Sequence, residues 1–171
     1  MQGRLFRLGV PIATLLLFAL LAYAHIVVLP GMSAGEATLD MRYRGYDVAE
    51  VQHYLATLSS QGATLYQGWV RVLDTVVPLF VMITLLIPLR MATGLLSKLA
   101  LPAIAYCCLD LLENQAVALI FSKTAPGAVP SDALVVWAST MTQWKTATAV
   151  VAIILAFAAL LFNLRRGSER P

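Results

Sequence analysis

Apolar side chains dominate four stretches of this chain, 8–29, 69–89, 99–121 and 133–164. Each reaches the roughly 20 residues that an α-helix needs to cross a hydrocarbon layer. The expected fold is all-α: a polytopic membrane four-helix bundle, with residues 1–171 forming a single transmembrane domain. Pro11 falls in a first turn, where a missing N–H costs little. Pro78, Pro88 and Pro102 predict kinks or helix ends that neighbouring helices must accommodate. Between the first two runs lies a polar, glycine-punctuated segment, 31–68, too long for a plain connection. Asp47 followed by Glu50 reads as a helix start. Val48, Val51, Tyr54, Leu55 and Leu58 then recur at helical spacing, with Gly62 as the stop. This pattern predicts an amphipathic helix in the first extracytoplasmic loop, acting as a cap on the bundle mouth or a gate over a pocket.

Composition agrees with the pattern. The chain is 60% hydrophobic and only 12% charged, with a mean hydropathy of +0.79, far from the roughly 25% charged residues of soluble domains. Its net charge of +3 sits at the ends of apolar runs, where topology explains it, and nucleic acid is not implied. Arg4 and Arg7 precede the first run, Arg90 and Lys98 separate the second from the third, and Arg165, Arg166 and Arg170 follow the fourth. By the positive-inside rule both termini are expected on the cytoplasmic side of the inner membrane. Trp69, Trp137 and Trp144 mark the opposite, outer rim. The first run also resembles a cleavable signal ending in Ala22-Tyr23-Ala24, but it continues through Leu29 and reads as a retained helix. Cys107 and Cys108 are adjacent, cannot readily pair with each other, and are expected to be packing residues.

The chemistry concentrates in the third run. Asp110, Glu113 and Asn114 are three and four residues apart, so they share one helical face. Ionisable groups at that depth usually face a bundle interior or a wet cavity. Burying ionised carboxylates is costly, so Asp110 and Glu113 are expected to share a proton. The other runs offer polar groups at a similar level: His25 in the first, Asp74 in the second, and Thr142, Lys145, Thr146 and Thr148 in the fourth. Lys145 has two readings, snorkelling to water or pairing with Glu113 or Asp110. Asp74 also has two, neutralisation by Arg71 one turn earlier or membership of a shared site.

Asp40-Met-Arg42, Gly45-Tyr46, Gly62, Tyr66, Asp74 with Pro78, and Asp110-Leu-Leu-Glu113-Asn114 resemble the pattern of a family of small four-span bacterial integral membrane proteins. The resemblance covers most of the chain and brings no assigned activity. A more distant analogy of architecture is to sterol-isomerase-like four-span proteins, which also carry acidic groups inside a bundle.

These observations lead to the expectation of an outward-facing intramembrane pocket that binds, and in the stronger form transforms, an amphiphilic or lipid-like ligand. Asp110 and Glu113 take the roles of catalytic acid and base. Asn114 orients the ligand, Lys145 supplies a counter-charge, His25 and Asp74 add polar groups, and Asp40 with Arg42 closes the mouth. The alternative is an accessory or assembly subunit, or a proton-path component, of a membrane complex. The implied partners are the lipid bilayer, an amphiphilic small molecule, and a membrane-protein partner or a second copy. No cofactor is named and no residues are assigned to a metal. The chain has no HExxH, serine elbow, phosphate loop or haem-attachment motif to support a hydrolase, nucleotide enzyme or covalent haem protein.

Overall fold

A computed structural model describes residues 2–93, 98–124 and 128–168. Among them there is no strand, and four helices are long and apolar enough to cross a membrane: Phe6–Gly31, Ser60–Met91, Lys98–Lys123 and Asp132–Arg166. These are called the first to fourth spans. Arg7, Arg90, Lys98, Arg165 and Arg166 lie at one end of the bundle, while Arg170 and the side chain of Arg4 lie outside the described residues.

The second span touches all three others, and the third and fourth pack most extensively on each other. The first span packs chiefly on the second. Thr14 Oγ1 lies 2.7 Å from Thr84 Oγ1 and supplies a polar clamp between these two helices. Towards the basic end, contact relies on small residues such as Ala103, Ala152 and Ala156, as expected where lipid removes the hydrophobic drive between helices. Leu16, Ile154, Phe157 and Leu164 face outwards there.

The hydrophobic core sits instead at the opposite end, where Leu29, Leu39, Val51, Tyr54, Ile120 and Val135 meet. Much of it comes from the long first loop. The expected helix is present as Val48–Thr57, opened by a reciprocal capping box in which Asp47 accepts from Glu50 N–H and Glu50 accepts from Asp47 N–H. Val51 and Tyr54 are fully buried against the bundle, so this helix caps the protein itself. Gly45 has φ +92°, and a Cβ there would run into the Gln143 amide and lie 2.8 Å from Ser139 Oγ. That close approach lets Tyr46 N–H donate to Ser139 Oγ at 2.9 Å and Gln143 donate to the Arg44 carbonyl at 3.2 Å, strapping the loop to the fourth span.

Two details differ from the sequence pattern. The cap helix ends at Thr57, and Gly62 lies buried in the next helical turn. It is small because Leu58 and Met32 would come within 2.7 and 2.9 Å of a Cβ. A short helical segment from Ser60, capped by Ser59 accepting from Gly62 N–H, opens the second span and joins the rest of it across a break at Gly68, so the unbroken helix begins close to the expected residue 69. Cys107 is buried as expected, but Cys108 is exposed on the outside of the helix.

Candidate functional site

Both helices entering the polar region from the loop end depart from regular geometry there: the first span has a π-helical turn at Ala24–Val28, and the second breaks within Tyr66–Val70, where Gly68 is non-helical (φ −94°, ψ −106°). Such irregularities displace side chains from regular helical register, and π-turns often accompany functional sites. The first presents His25, which is 4% exposed. The second presents Tyr66, which meets the imidazole edge-on at 5.9 Å and stacks on Phe121 at 4.9 Å.

His25 bridges two segments. Its Nδ1 lies 2.8 Å from Thr38 Oγ1 in the loop, and its Nε2 lies 3.1 Å from Asp74 Oδ1 in the second span. Asp74 is thus paired with His25, and Arg71 turns away to donate to Gln115 at 3.1 Å. Asp40, on the short turn Leu39–Met41, accepts a hydrogen bond from the Tyr66 hydroxyl. The ligand-type atoms of His25, Asp40 and Asp74 all lie within 4.8 Å of one another.

One turn along the second span, Pro78 lacks the N–H that a regular helix would direct to the carbonyl of Asp74. Asn114 replaces it, donating Nδ2 to that carbonyl at 2.6 Å. The same nitrogen lies 3.4 Å from Asp110 Oδ2, linking the His25 group to the third-span carboxyls.

Lys145 lies in the interior. Its ammonium is 2.9 Å from Asp110 Oδ1 and also pairs with Glu113, with the lysine side chain 13% exposed. Of the two readings of Lys145, the ammonium therefore takes the one in which it pairs with the third-span carboxyls. Glu113 also accepts from the Thr142 hydroxyl. The Tyr46 ring is buried nearby, where loss of solvent, reinforced by the charge of Glu113, pushes its phenol above the usual tyrosine range.

A cavity of about 400 Å³ opens beside this network. His25, Asp40, Asp74, Asp110 and Lys145 form its polar end, while Phe18, Val81, Leu85 and Ile153 form apolar walls. All four spans contribute to the lining, and the cavity occupies the gap between the first and fourth, which scarcely touch. A second groove of about 440 Å³, beneath the cap helix, has no ionisable side chain in its described lining.

Of the residues expected at a site, the structure brings His25, Asp40, Asp74, Asp110 and Lys145 to the cavity, with Glu113 and Asn114 directly behind them. It does not bring Arg42, whose guanidinium pairs with Glu36 at 3.0 Å and Glu50 at 3.5 Å and braces the loop. Thr38, Tyr66 and Tyr106 are site residues that the sequence reading did not single out for a role. A periodic signal exists for Tyr106, which precedes Asp110 by one turn on the same face. Tyr66 and Thr38 give no such signal, because the break at Gly68 and the loop fold bring them to the site.

Comparison of the chain with family models, curated proteins and solved structures yields no match.

Proposed function

We propose that this membrane protein binds an amphiphilic or lipid-like molecule in the cavity between its first and fourth spans. The observation that carries the reading is the two-ended lining. Charged groups are confined to one end, and apolar walls extend from it towards the basic end of the bundle. An amphiphile matches both, and the cavity volume is within the range of about 300–1,000 Å³ typical of small-molecule sites. Weak contact between the first and fourth spans supports entry from the side, through lipid. Asp110 and Lys145 receive the polar head, and Asp110 with Glu113 is the acid–base pair for any proton transfer to it. With the basic residues on the cytoplasmic side, the polar end faces outwards.

Native mass spectrometry of the detergent-purified protein tests this. The parent should carry one defined class of amphiphile, and Ala149→Phe, which fills the cavity from the fourth span, should lose it. Equal, nonspecific lipid adducts on both proteins would overturn the reading.

A further inference from the structure

The distribution of positive charge around the cavity is uneven. Three buried carboxyls, Asp74, Asp110 and Glu113, and the half-buried Asp40 gather in one region. Lys145 is held between Asp110 and Glu113. Arg42 is held by Glu36 and Glu50, and Arg71 is turned to Gln115. Asp40 and Asp74 are left with the His25 imidazole and the neutral hydroxyl of Tyr66. Buried charge of one sign is expensive without a counter-ion, and here Asp74 pairs directly only with His25 while Asp40 receives only the Tyr66 hydroxyl.

We propose that His25, Asp40 and Asp74 bind one divalent transition-metal ion of the zinc class. One imidazole nitrogen and two carboxylate oxygens form a donor set suited to such ions. The three come from separate segments, a π-turn, a loop turn and the second span, yet their ligand atoms converge within 4.8 Å. His25 Nε2 and Asp74 Oδ1 are 3.1 Å apart. Two ligands on a tetrahedral ion, with bonds of about 2.0–2.1 Å, stand roughly 3.3 Å from each other.

The outer contacts fit as well. Metal-bound histidines use their second nitrogen to anchor the ring, and ligating carboxylates are themselves hydrogen-bonded. Here Thr38 holds His25 Nδ1 at 2.8 Å, and Tyr66 donates to Asp40. All three ligands line the cavity, so a fourth coordination position opens towards whatever occupies it. A divalent ion balances the two carboxylates beside a neutral imidazole and places a Lewis acid within the same polar end as Asp110 and Lys145. This site goes beyond the amphiphile reading and stands or falls independently of it.

The test uses the full chain in detergent, stripped with a chelator, desalted, and titrated with Zn²⁺ and Mn²⁺ against a chromogenic competitor. The parent should take up about one equivalent. Asp74→Asn and Asp40→Asn should weaken binding by at least about tenfold, whereas Asp132→Asn, on the exposed start of the fourth span, should leave it unchanged. Co²⁺ loading needs no variant: the folded parent should develop visible d–d bands that added Zn²⁺ removes. A parent that takes up no divalent ion and shows no cobalt bands overturns the site, whether or not native mass spectra reveal an amine-bearing molecule in its place. Unchanged metal affinity in both folded Asn variants overturns it equally.

Discussion

The side-chain amide of Asn114 lies 2.6 Å from the backbone carbonyl of Asp74, the acceptor that Pro78 leaves without its helical donor. A kink in the second span and a polar residue in the third are thus parts of one arrangement. Asn114→Ala should destabilise the protein by about 1–2 kcal/mol, the scale of an interhelical bond in a membrane or an orphaned buried carbonyl. With Pro78→Ala in the background, position 78 recovers an N–H and the penalty should shrink. A double-mutant cycle on reversible unfolding in mixed micelles reads the coupling; additive costs would mean that Asn114 acts elsewhere.

Lys145 should be the most sensitive member of the central group. Its removal as Lys145→Met leaves two buried carboxyls facing each other, a change expected to cost about 3–5 kcal/mol. Glu113→Gln alone keeps the pair with Asp110 and should cost less. The double variant Lys145→Met/Glu113→Gln should recover part of the loss, measured by the same unfolding assay. A Lys145→Met protein as stable as the parent would contradict an interior ion pair.

Gly45 combines φ +92° with a Cβ path blocked by Gln143 and Ser139. Gly45→Ala should loosen the strap on the fourth span and cost more than about 1 kcal/mol. Limited proteolysis should then cut the loop between the first span and the cap helix faster. Adding Gln143→Ala relieves the contact with the amide but leaves Ser139 Oγ in the way, and it removes the hydrogen bond to the Arg44 carbonyl, so the penalty should persist.

Orientation is checked by labelling in a background of Cys107→Ala and Cys108→Ala. Gln52→Cys, on the exposed side of the cap helix, should react with an impermeant maleimide in intact cells. Arg166→Cys, at the basic end, should react only after permeabilisation. The reverse pattern would invert the topology.

Local chemistry explains which features were legible in the sequence. The Asp47–Glu50 capping box and the shared face of Asp110, Glu113 and Asn114 depend on spacings of three and four residues within a helix, and they appear as expected. The sequence leaves Lys145 two readings because its depth depends on how far the fourth helix projects; packing against the third span fixes it on Asp110 and Glu113. One-turn spacing alone makes Arg71 a natural partner of Asp74. The break at Gly68 and the approach of His25 from another helix change that pairing. The convergence of His25, Asp40 and Asp74 has no counterpart in sequence spacing, because it is made by loop closure and helix register.

Occupancy of the cavity is the most direct measurement of the central claim. A diazirine analogue of leucine placed at Leu85, on the apolar wall, and separately at Leu16, which is 67% exposed on the outside of the first span, reports on what lies beside each. After irradiation in native membranes, position 85 should crosslink one defined amphiphile, and Ala149→Phe should abolish that product. Position 16 should capture bulk lipids in both backgrounds. The same bulk-lipid profile at both positions, unaffected by Ala149→Phe, would contradict a selective intramembrane pocket.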